Sequence, residues 1–155
     1  MVGCTRFQIF TDNFYPPMLS KRAKYALKAL KRLANEYGRG PLQISRLADQ
    51  EHIPKRFLEA ILLDLRNHGL LQSQKGTGGG YLLRVDPQQI NLAQVLRIID
   101  GPLAPTPCTS KNFYVRCDDC QDEETCPIRP IMEQVRDANL AVYEHISLLN
   151  LAQGD

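Results

Sequence analysis

The 155-residue sequence lacks any apolar run near the roughly 20 residues that a helix needs to cross a bilayer. Residues 1–17 lack both the basic region and the continuous apolar region of a secretory signal. Catalytic signatures are missing as well, since there is no Ser-His-Asp pattern, no paired-carboxylate pattern and no nucleotide-binding motif. These absences predict a soluble cytoplasmic protein that is not an enzyme and has no membrane partner.

Positive charge is concentrated in the first half of the chain. Residues 18–84 hold 13 Lys and Arg against 5 Asp and Glu, a balance of +8, whereas residues 85–155 hold 5 against 11, a balance of −6. Clustered cations displace condensed counterions from a phosphate backbone, so the first half is the part suited to a polyanion. A solvated charged surface is the alternative at this point.

Helical periodicity predicts three helices in this basic half. The first runs from Leu19 to Tyr37 and stops at Gly38. A short second helix follows Gly40-Pro41, and a third opens at Pro54 and runs to Gly69. Two short helices joined by a tight turn, the second with basic and polar residues near its start, are typical of a helix-turn-helix.

A β-hairpin is predicted after the third helix. Leu70 and Leu71 start one strand, the glycine-rich residues 75–80 form a tight connection, and residues 81–83 return as a second strand. The glycine run is not a phosphate-binding loop, because it does not match that motif and no helix follows it. Asn91 is then placed to cap a fourth helix that ends before Gly101.

Residues 102–126 form a segment without periodicity that contains four of the five cysteines. Cys4 stands alone. Thiolates are ligands for iron-sulfur clusters and for structural zinc, and a C-x2-C unit also suits a redox dithiol. The grouping therefore predicts a metal centre and leaves its type open. The candidate ligands are Cys108, Cys117, Cys120 and Cys126.

The last residues, 127–155, are predicted to form one long helix that begins after Cys126-Pro127. A heptad seam with one polar member, Asn139, indicates a homodimer helix, while a helix buried within a single chain is the alternative. The seam consists of Ile128, Met132, Val135, Asn139, Val142, Ile146 and Leu149.

Three stretches of the sequence resemble the Rrf2 family of transcription regulators: R-F-L-E at 56–59, L-R-N-H-G-L at 65–70 and K-G-T-G-G-G-Y-L-L at 75–83. The resemblance extends from Met18 through the last helix. It implies a winged helix-turn-helix head, a homodimer built on the long last helix, and binding to a palindromic DNA operator. Several members of that family carry an iron-sulfur cluster on three cysteines between the last two helices, and others carry none.

Carried over to this chain, the resemblance makes residues 54–68 the recognition helix, with Lys55, Arg56 and Glu59 near base edges. Lys75 matches the basic wing residue that enters the minor groove. The chemistry agrees, because a carboxylate accepts from cytosine and a guanidinium donates to guanine or phosphate. Arg22 completes the DNA-binding candidates.

The cysteine spacing departs from that of cluster-bearing relatives, and Arg129 stands where some of them have a histidine ligand. Two ligand sets therefore remain open: all four cysteines, or three cysteines with a group from a partner subunit. The resemblance places an iron-sulfur cluster ahead of zinc.

The sequence thus predicts a mainly α protein with a small β wing. Its parts are an extension (1–17), a winged helix-turn-helix head (18–101), a cysteine-rich sensor loop (102–126) and a dimerisation helix (127–155). The predicted function is a homodimeric regulator whose operator affinity depends on an iron-sulfur cluster. The alternatives are a zinc or thiol-redox regulator of the same fold, and a thiol oxidoreductase using Cys117 and Cys120.

Overall fold

The structure, a computed structural model, describes residues 19–154, so the predicted extension and Cys4 lie outside the described residues. Within this range the chain forms six α-helices and two β-strands. They are α1 Lys21–Asn35, α2 Ile44–Glu51, α3 Lys55–Asn67, β1 Leu71–Gln74, β2 Gly80–Leu83, α4 Leu92–Ile99, α5 Arg129–His145 and α6 Leu148–Gln153. None of these helices is both long and apolar enough to cross a membrane. The predicted fold class, mainly α with a small β wing, is confirmed.

A leucine-rich core holds α1, α2, α3, α4 and α6 together. Each helix contributes residues from one face, because apolar positions three and four apart lie on the same side of a helix. Complete burial of a leucine side chain contributes about 2 kcal/mol. The largest fully buried side chains include Leu30, Leu47, Leu58, Ile61, Leu62, Leu65, Leu96 and Leu148.

Helix α1 begins at an N-cap, Ser20, whose hydroxyl accepts a hydrogen bond from the backbone N–H of Ala23 at 2.9 Å. Ser20 also donates its hydroxyl and its backbone N–H to the carboxylate of Asp100, so the start of α1 is joined to the end of α4. The helix ends at Asn35 rather than at Tyr37. Tyr37 therefore lies beyond the apolar face of the helix and is exposed.

The turn between α2 and α3 depends on one residue in a left-handed conformation. His52 has φ +52° and ψ +47°, and it is the only non-glycine residue with positive φ among residues 19–154. Its backbone N–H closes α2 by donating to the carbonyl of Asp49 at 3.4 Å. A Cβ atom is disfavoured in this conformation, whereas glycine adopts it freely.

Replacing His52 with glycine is expected to raise the free energy of unfolding by about 0.5–1 kcal/mol, because the Cβ strain disappears. His52→Ala is the matched control, since alanine also removes the exposed imidazole but keeps the Cβ. Urea unfolding followed by circular dichroism measures both. An equal gain in the two variants would show that the imidazole, and not the backbone conformation, was responsible.

The predicted hairpin is confirmed: β1 and β2 pair antiparallel, with Leu71 opposite Leu83 and Gln74 opposite Gly80. A further bridge joins β2 to the chain before α2, where Leu42 and Tyr81 exchange two backbone hydrogen bonds of 2.9 Å. Gly80 allows this close approach, because a Cβ there would lie 2.2 Å from the carbonyl oxygen of Leu42. The wing is therefore fixed to the head by its own backbone.

The prediction of one long helix over residues 127–155 needs correction at both ends. Helix α5 starts at Arg129, with Pro130 in its first turn, and it ends at His145. Ile146 is extended, and Ser147 starts α6 through a capping box with Asn150. The last two members of the heptad seam therefore lie outside α5, Ile146 in the extended link and Leu149 in a separate helix.

A tertiary contact explains the break. The backbone of Ile146 accepts from Leu92 at 3.1 Å, and Leu148 donates to Ile90 at 2.7 Å. These bonds form a short bridge between the start of α4 and the start of α6, and they bring Leu148 into the core with no exposed surface. Helix α6 then packs against α1.

Candidate nucleic-acid interface and cysteine cavity

The first two turns of α3 present charge to solvent. Lys55, Arg56 and Glu59 are all exposed, while Leu58 between them is fully buried and anchors the helix. The structure therefore brings together the three predicted base-contacting residues near the N-terminal end of the second helix of the helix-turn-helix. This is the end that reaches base edges in such motifs.

Lys75 lies exposed in the turn between β1 and β2, as the sequence predicted. The turn is closed by a backbone hydrogen bond of 2.9 Å from Gly79 to Gly76. The side chain of Gln43, at the start of α2, donates to the carbonyl of Thr77 at 3.1 Å. The wing tip is thus held next to the helix-turn-helix.

Arg22 is placed differently from the other DNA-binding candidates. Its guanidinium forms an ion pair with Asp64 of α3, and it also donates to the carbonyl of Ile99 at the end of α4. The side chain is about two-fifths exposed. Because Arg22 has partners on both α3 and α4, its position suits fixing α3 on the head better than reaching a nucleic acid.

The C-x2-C unit forms a tight turn ahead of α5. The backbone N–H of Cys120 donates to the carbonyl of Cys117 at 3.1 Å. Arg116 closes the turn from outside by donating to the carbonyls of Cys120 and Gln121, at 3.0 and 2.8 Å. Sequence reasoning did not single out Arg116, and only its position directly before Cys117 offered a signal.

All four predicted ligand cysteines line one cavity of about 410 Å³, and all four are free thiols. Cys108 is buried on a 3-10 turn, Pro107–Thr109, and the other three are half-buried. A hydrogen bond with Cys108 raises the pKa of the Cys117 thiol above its usual range. The fold therefore places Cys108 on the same cavity as the C-x2-C unit.

Charged groups surround this cavity. Glu123 accepts from the hydroxyl of Tyr114 and pairs with Arg129 at 3.2 Å, and Arg129 also pairs with Glu133 at 3.1 Å. The hydrogen bond to Glu123 raises the pKa of Tyr114 above its ordinary value. Arg129 thus brings a positive charge to the cavity wall at the start of α5.

No three side chains of His, Cys, Asp or Glu come close enough in residues 19–154 to form a ready metal site. The four thiols share a cavity without converging on one point. Cys126 also lies before the N-cap of α5, Ile128, rather than at the helix start. The ligand set therefore stays a prediction, and it requires the cysteine segment to close around the metal.

Arg136 ties this segment to α5. Its guanidinium donates to the carbonyl of Thr109, next to Cys108, at 2.6 Å, and its side chain is only 12% exposed. Asp137 holds the same guanidinium at 2.9 Å, and Lys111 pairs with Asp137 from the segment. These two cations lower the pKa of the Asp137 carboxyl well below its usual range. The cysteine segment is therefore joined by charge to the long helix.

One face of α5 and the residue before it expose large apolar side chains. Ile128, Ile131, Val135 and Val142 are between 39% and 57% exposed. Four such residues on one side of a helix are unusual for a surface that faces only water. This face includes three positions of the predicted heptad seam.

Comparison with known proteins identifies one family of transcriptional regulators. A family profile described as Rrf2, iron-dependent transcriptional regulator, matches residues 19–154. An Rrf2-like HTH-type transcriptional regulator of Rhodobacter capsulatus is 43% identical over 84% of this chain and 89% of its own length. The HTH-type transcriptional regulator IscR of Sodalis glossinidius is 29% identical over 87% of this chain and 76% of its own.

Solved structures agree with the sequence comparisons. The structure of CymR, the global cysteine regulator of B. subtilis, superposes with a TM-score of 0.72 at 27% identity, over 88% of this chain and 97% of that one. These relatives are transcription regulators and not enzymes. The oxidoreductase alternative for Cys117 and Cys120 therefore has no support among them.

Proposed function

Because the chain belongs to the Rrf2 family of transcriptional regulators, we propose that it acts as a homodimer that binds a palindromic operator and senses a signal through its cysteine cavity. Helix α3 enters the major groove and the wing contacts the minor groove. A metal centre held by the cysteines sets the affinity for the operator. The shared cavity of the four cysteines, joined to α5 through Arg136, is the observation that carries this proposal.

The exposed charges support the DNA contact. Lys55 and Arg56 supply cations at the start of α3, and Glu59 supplies an acceptor one turn further on. In the major groove, Arg donates to guanine and a carboxylate accepts from the amino group of cytosine. The positive charge of Lys75 at the wing tip complements the negative potential of a narrow minor groove. Arg22 is left out of the interface and assigned to fixing α3.

The exposed apolar face of α5 supports the homodimer. Two copies related by a twofold axis would bury Val135 and Val142 against the same residues of the partner, as a closed dimer requires. Twofold symmetry in the protein matches a palindromic operator, whose half-sites are one helical turn apart.

The donor set fits a soft metal or a cluster. Cys108, Cys117, Cys120 and Cys126 would hold it, and thiolates are the ligands that iron-sulfur clusters and zinc require. Arg116 and Arg129 lie beside these thiols and would offset part of the negative charge of four thiolates. An iron-sulfur cluster would supply a group that responds to iron supply and to oxidants. Zinc is the alternative occupant.

The position of the cysteine segment in the chain supports control of operator affinity by the metal centre. The segment connects the end of α4, in the head, with the start of α5, in the dimer helix. Thr109 is bonded to Arg136 on α5, so any rearrangement of the segment that closes the thiols around a metal also acts on that helix. A change in the spacing of the two heads alters how well they fit two fixed half-sites.

Purification without oxygen, followed by metal analysis and an absorption spectrum, tests the metal centre. We expect visible absorption bands and bound iron in the unaltered protein, and neither in a Cys117→Ser, Cys120→Ser double variant. Cys4→Ser is the matched control, because Cys4 is not in the proposed ligand set. A colourless protein that contains zinc would replace the cluster with the zinc alternative.

Mobility-shift titration of an operator duplex tests the control of affinity. The metal-loaded protein and the double cysteine variant are expected to differ at least fivefold in operator affinity, the lower range of coupling between two sites. Equal affinities would eliminate the sensor and leave the DNA binding intact.

A further inference from the structure

Phe57 is a large apolar side chain that the fold leaves in water. It lies in the first turn of α3, between the exposed Arg56 and the buried Leu58, and 57% of its surface is exposed. The ring is not part of the hydrophobic core of the head. Ala60 and Leu63, further along the same helix, are also exposed, so α3 carries an apolar strip beside its charged residues.

The ring of Phe57 is nevertheless held by α1. Its centroid lies 6.4 Å from that of Tyr25, with the planes at 75°, which is an edge-to-face contact. The ammonium of Lys21 lies 5.7 Å from the centre of the same Tyr25 ring. One side of Phe57 is therefore supported, and the other side is open to solvent in the same turn of α3 that carries the exposed Arg56.

The chemistry of a phenyl ring limits what this open side can recognise. Phenylalanine has no hydroxyl, so it neither donates to a phosphate nor hydrogen-bonds to a base edge. The apolar group that B-DNA presents in its major groove is the C5-methyl group of thymine, and phenylalanine is one of the side chains that contact it. Covering the exposed ring and the methyl together removes apolar surface from water.

We propose that Phe57 is a specificity-determining residue that contacts a thymine methyl group in each operator half-site. The inference rests on the proposed function, because it requires α3 to enter the major groove. Tyr25 positions the ring, and Lys21, at the start of α1, faces the adjoining phosphates. The operator therefore carries a thymine at a fixed distance from the bases read by Arg56 and Glu59.

Deoxyuridine substitution tests this contact, because uracil pairs like thymine and lacks only the methyl group. Binding duplexes are first selected from a random-sequence pool with the full-length protein. Each thymine of the selected duplex is then replaced singly, and binding is measured by fluorescence anisotropy. We expect one position in each half-site at which the change weakens binding by about three- to fivefold, the value of one buried methyl group.

Phe57→Ala is expected to weaken binding to the thymine duplex by about fivefold or more and to abolish the difference between thymine and uracil at that position. Phe113→Ala is the matched control, since it removes a phenyl ring that is 60% exposed outside α3. Thermal unfolding of both variants establishes that the head stays folded, as expected for an exposed ring.

The outcomes separate the inference from the function on which it rests. A selected duplex whose affinity is unchanged by uracil at every thymine would overturn the methyl contact and leave operator binding in place. The same conclusion would follow if Phe57→Ala kept the full sensitivity to uracil. If no duplex were selected, the protein would lack sequence-specific DNA binding, and both the proposed function and the methyl contact would be wrong.

Discussion

Aspartate introduced at both Val135 and Val142 is expected to dissociate the proposed homodimer and to weaken operator binding by at least about 100-fold. Two half-sites bound by linked heads gain a factor of 10² to 10⁴ over one head, and monomers lose that gain. The two valines are 39% and 55% exposed in a single chain, so the substitutions leave the core of the head unchanged. Analytical ultracentrifugation reports the mass, and anisotropy reports the affinity.

Ala141→Asp is the control for this pair, because it adds an aspartate at an exposed position of α5 that lies outside the seam. It is expected to remain a dimer with nearly unchanged affinity. If the Val135 and Val142 double variant kept the mass of a dimer, another surface of the protein would have to form the interface.

Gly80→Ala is expected to lower the free energy of unfolding by about 2–3 kcal/mol and to weaken operator binding about tenfold or more. The new Cβ would lie 2.2 Å from the carbonyl oxygen of Leu42 and 2.4 Å from its carbonyl carbon, which no side-chain rearrangement relieves. The bridge between Leu42 and Tyr81 must open, and the wing that carries Lys75 then loses its fixed position.

Gly78→Ala provides a close comparison in the turn that directly precedes β2. No atom lies within 4 Å of a Cβ at Gly78, and its φ is not positive. Its stability and operator affinity are expected to stay near those of the unaltered protein. Chemical denaturation and anisotropy compare the two variants, and equal losses would mean that glycine flexibility in the turn, rather than contact with Leu42, matters.

The head could be predicted from the sequence because its signals are local. Leucines three and four residues apart define α3, glycines define the wing turn, and Asn91 with Gln94 forms the capping box that starts α4. Each of these signals acts within a few residues, so no knowledge of the tertiary structure is needed to read it.

The end of α5 could not be predicted in the same way. Ile146 continues the heptad spacing, yet its backbone pairs with Leu92, which is 54 residues earlier in the chain. A local signal for the break did exist in Ser147 and Asn150, whose spacing matches a capping box. The heptad pattern outweighed it, because spacing says nothing about a backbone partner so far away.

The candidate site residues show the same difference between local signals and long-range contacts. Lys55, Arg56, Glu59 and Lys75 lie where the motif places them, because each position is set by its own helix or turn. Arg22 gained a partner, Asp64, 42 residues away, which spacing does not reveal. The placement of Cys108 and Cys117 on one cavity likewise depends on how an irregular segment folds.

The contact of α6 with α1 also sets the order in which the protein can be completed during synthesis. Leu148 fills the core of the head, but it is made more than a hundred residues after α1 begins. A nascent chain that already contains α3 and the wing therefore still lacks one of the fully buried side chains of its core. The packing of the head can therefore be completed only after residues 148–153 have been synthesised, which couples closure of its core to translation of the last helix.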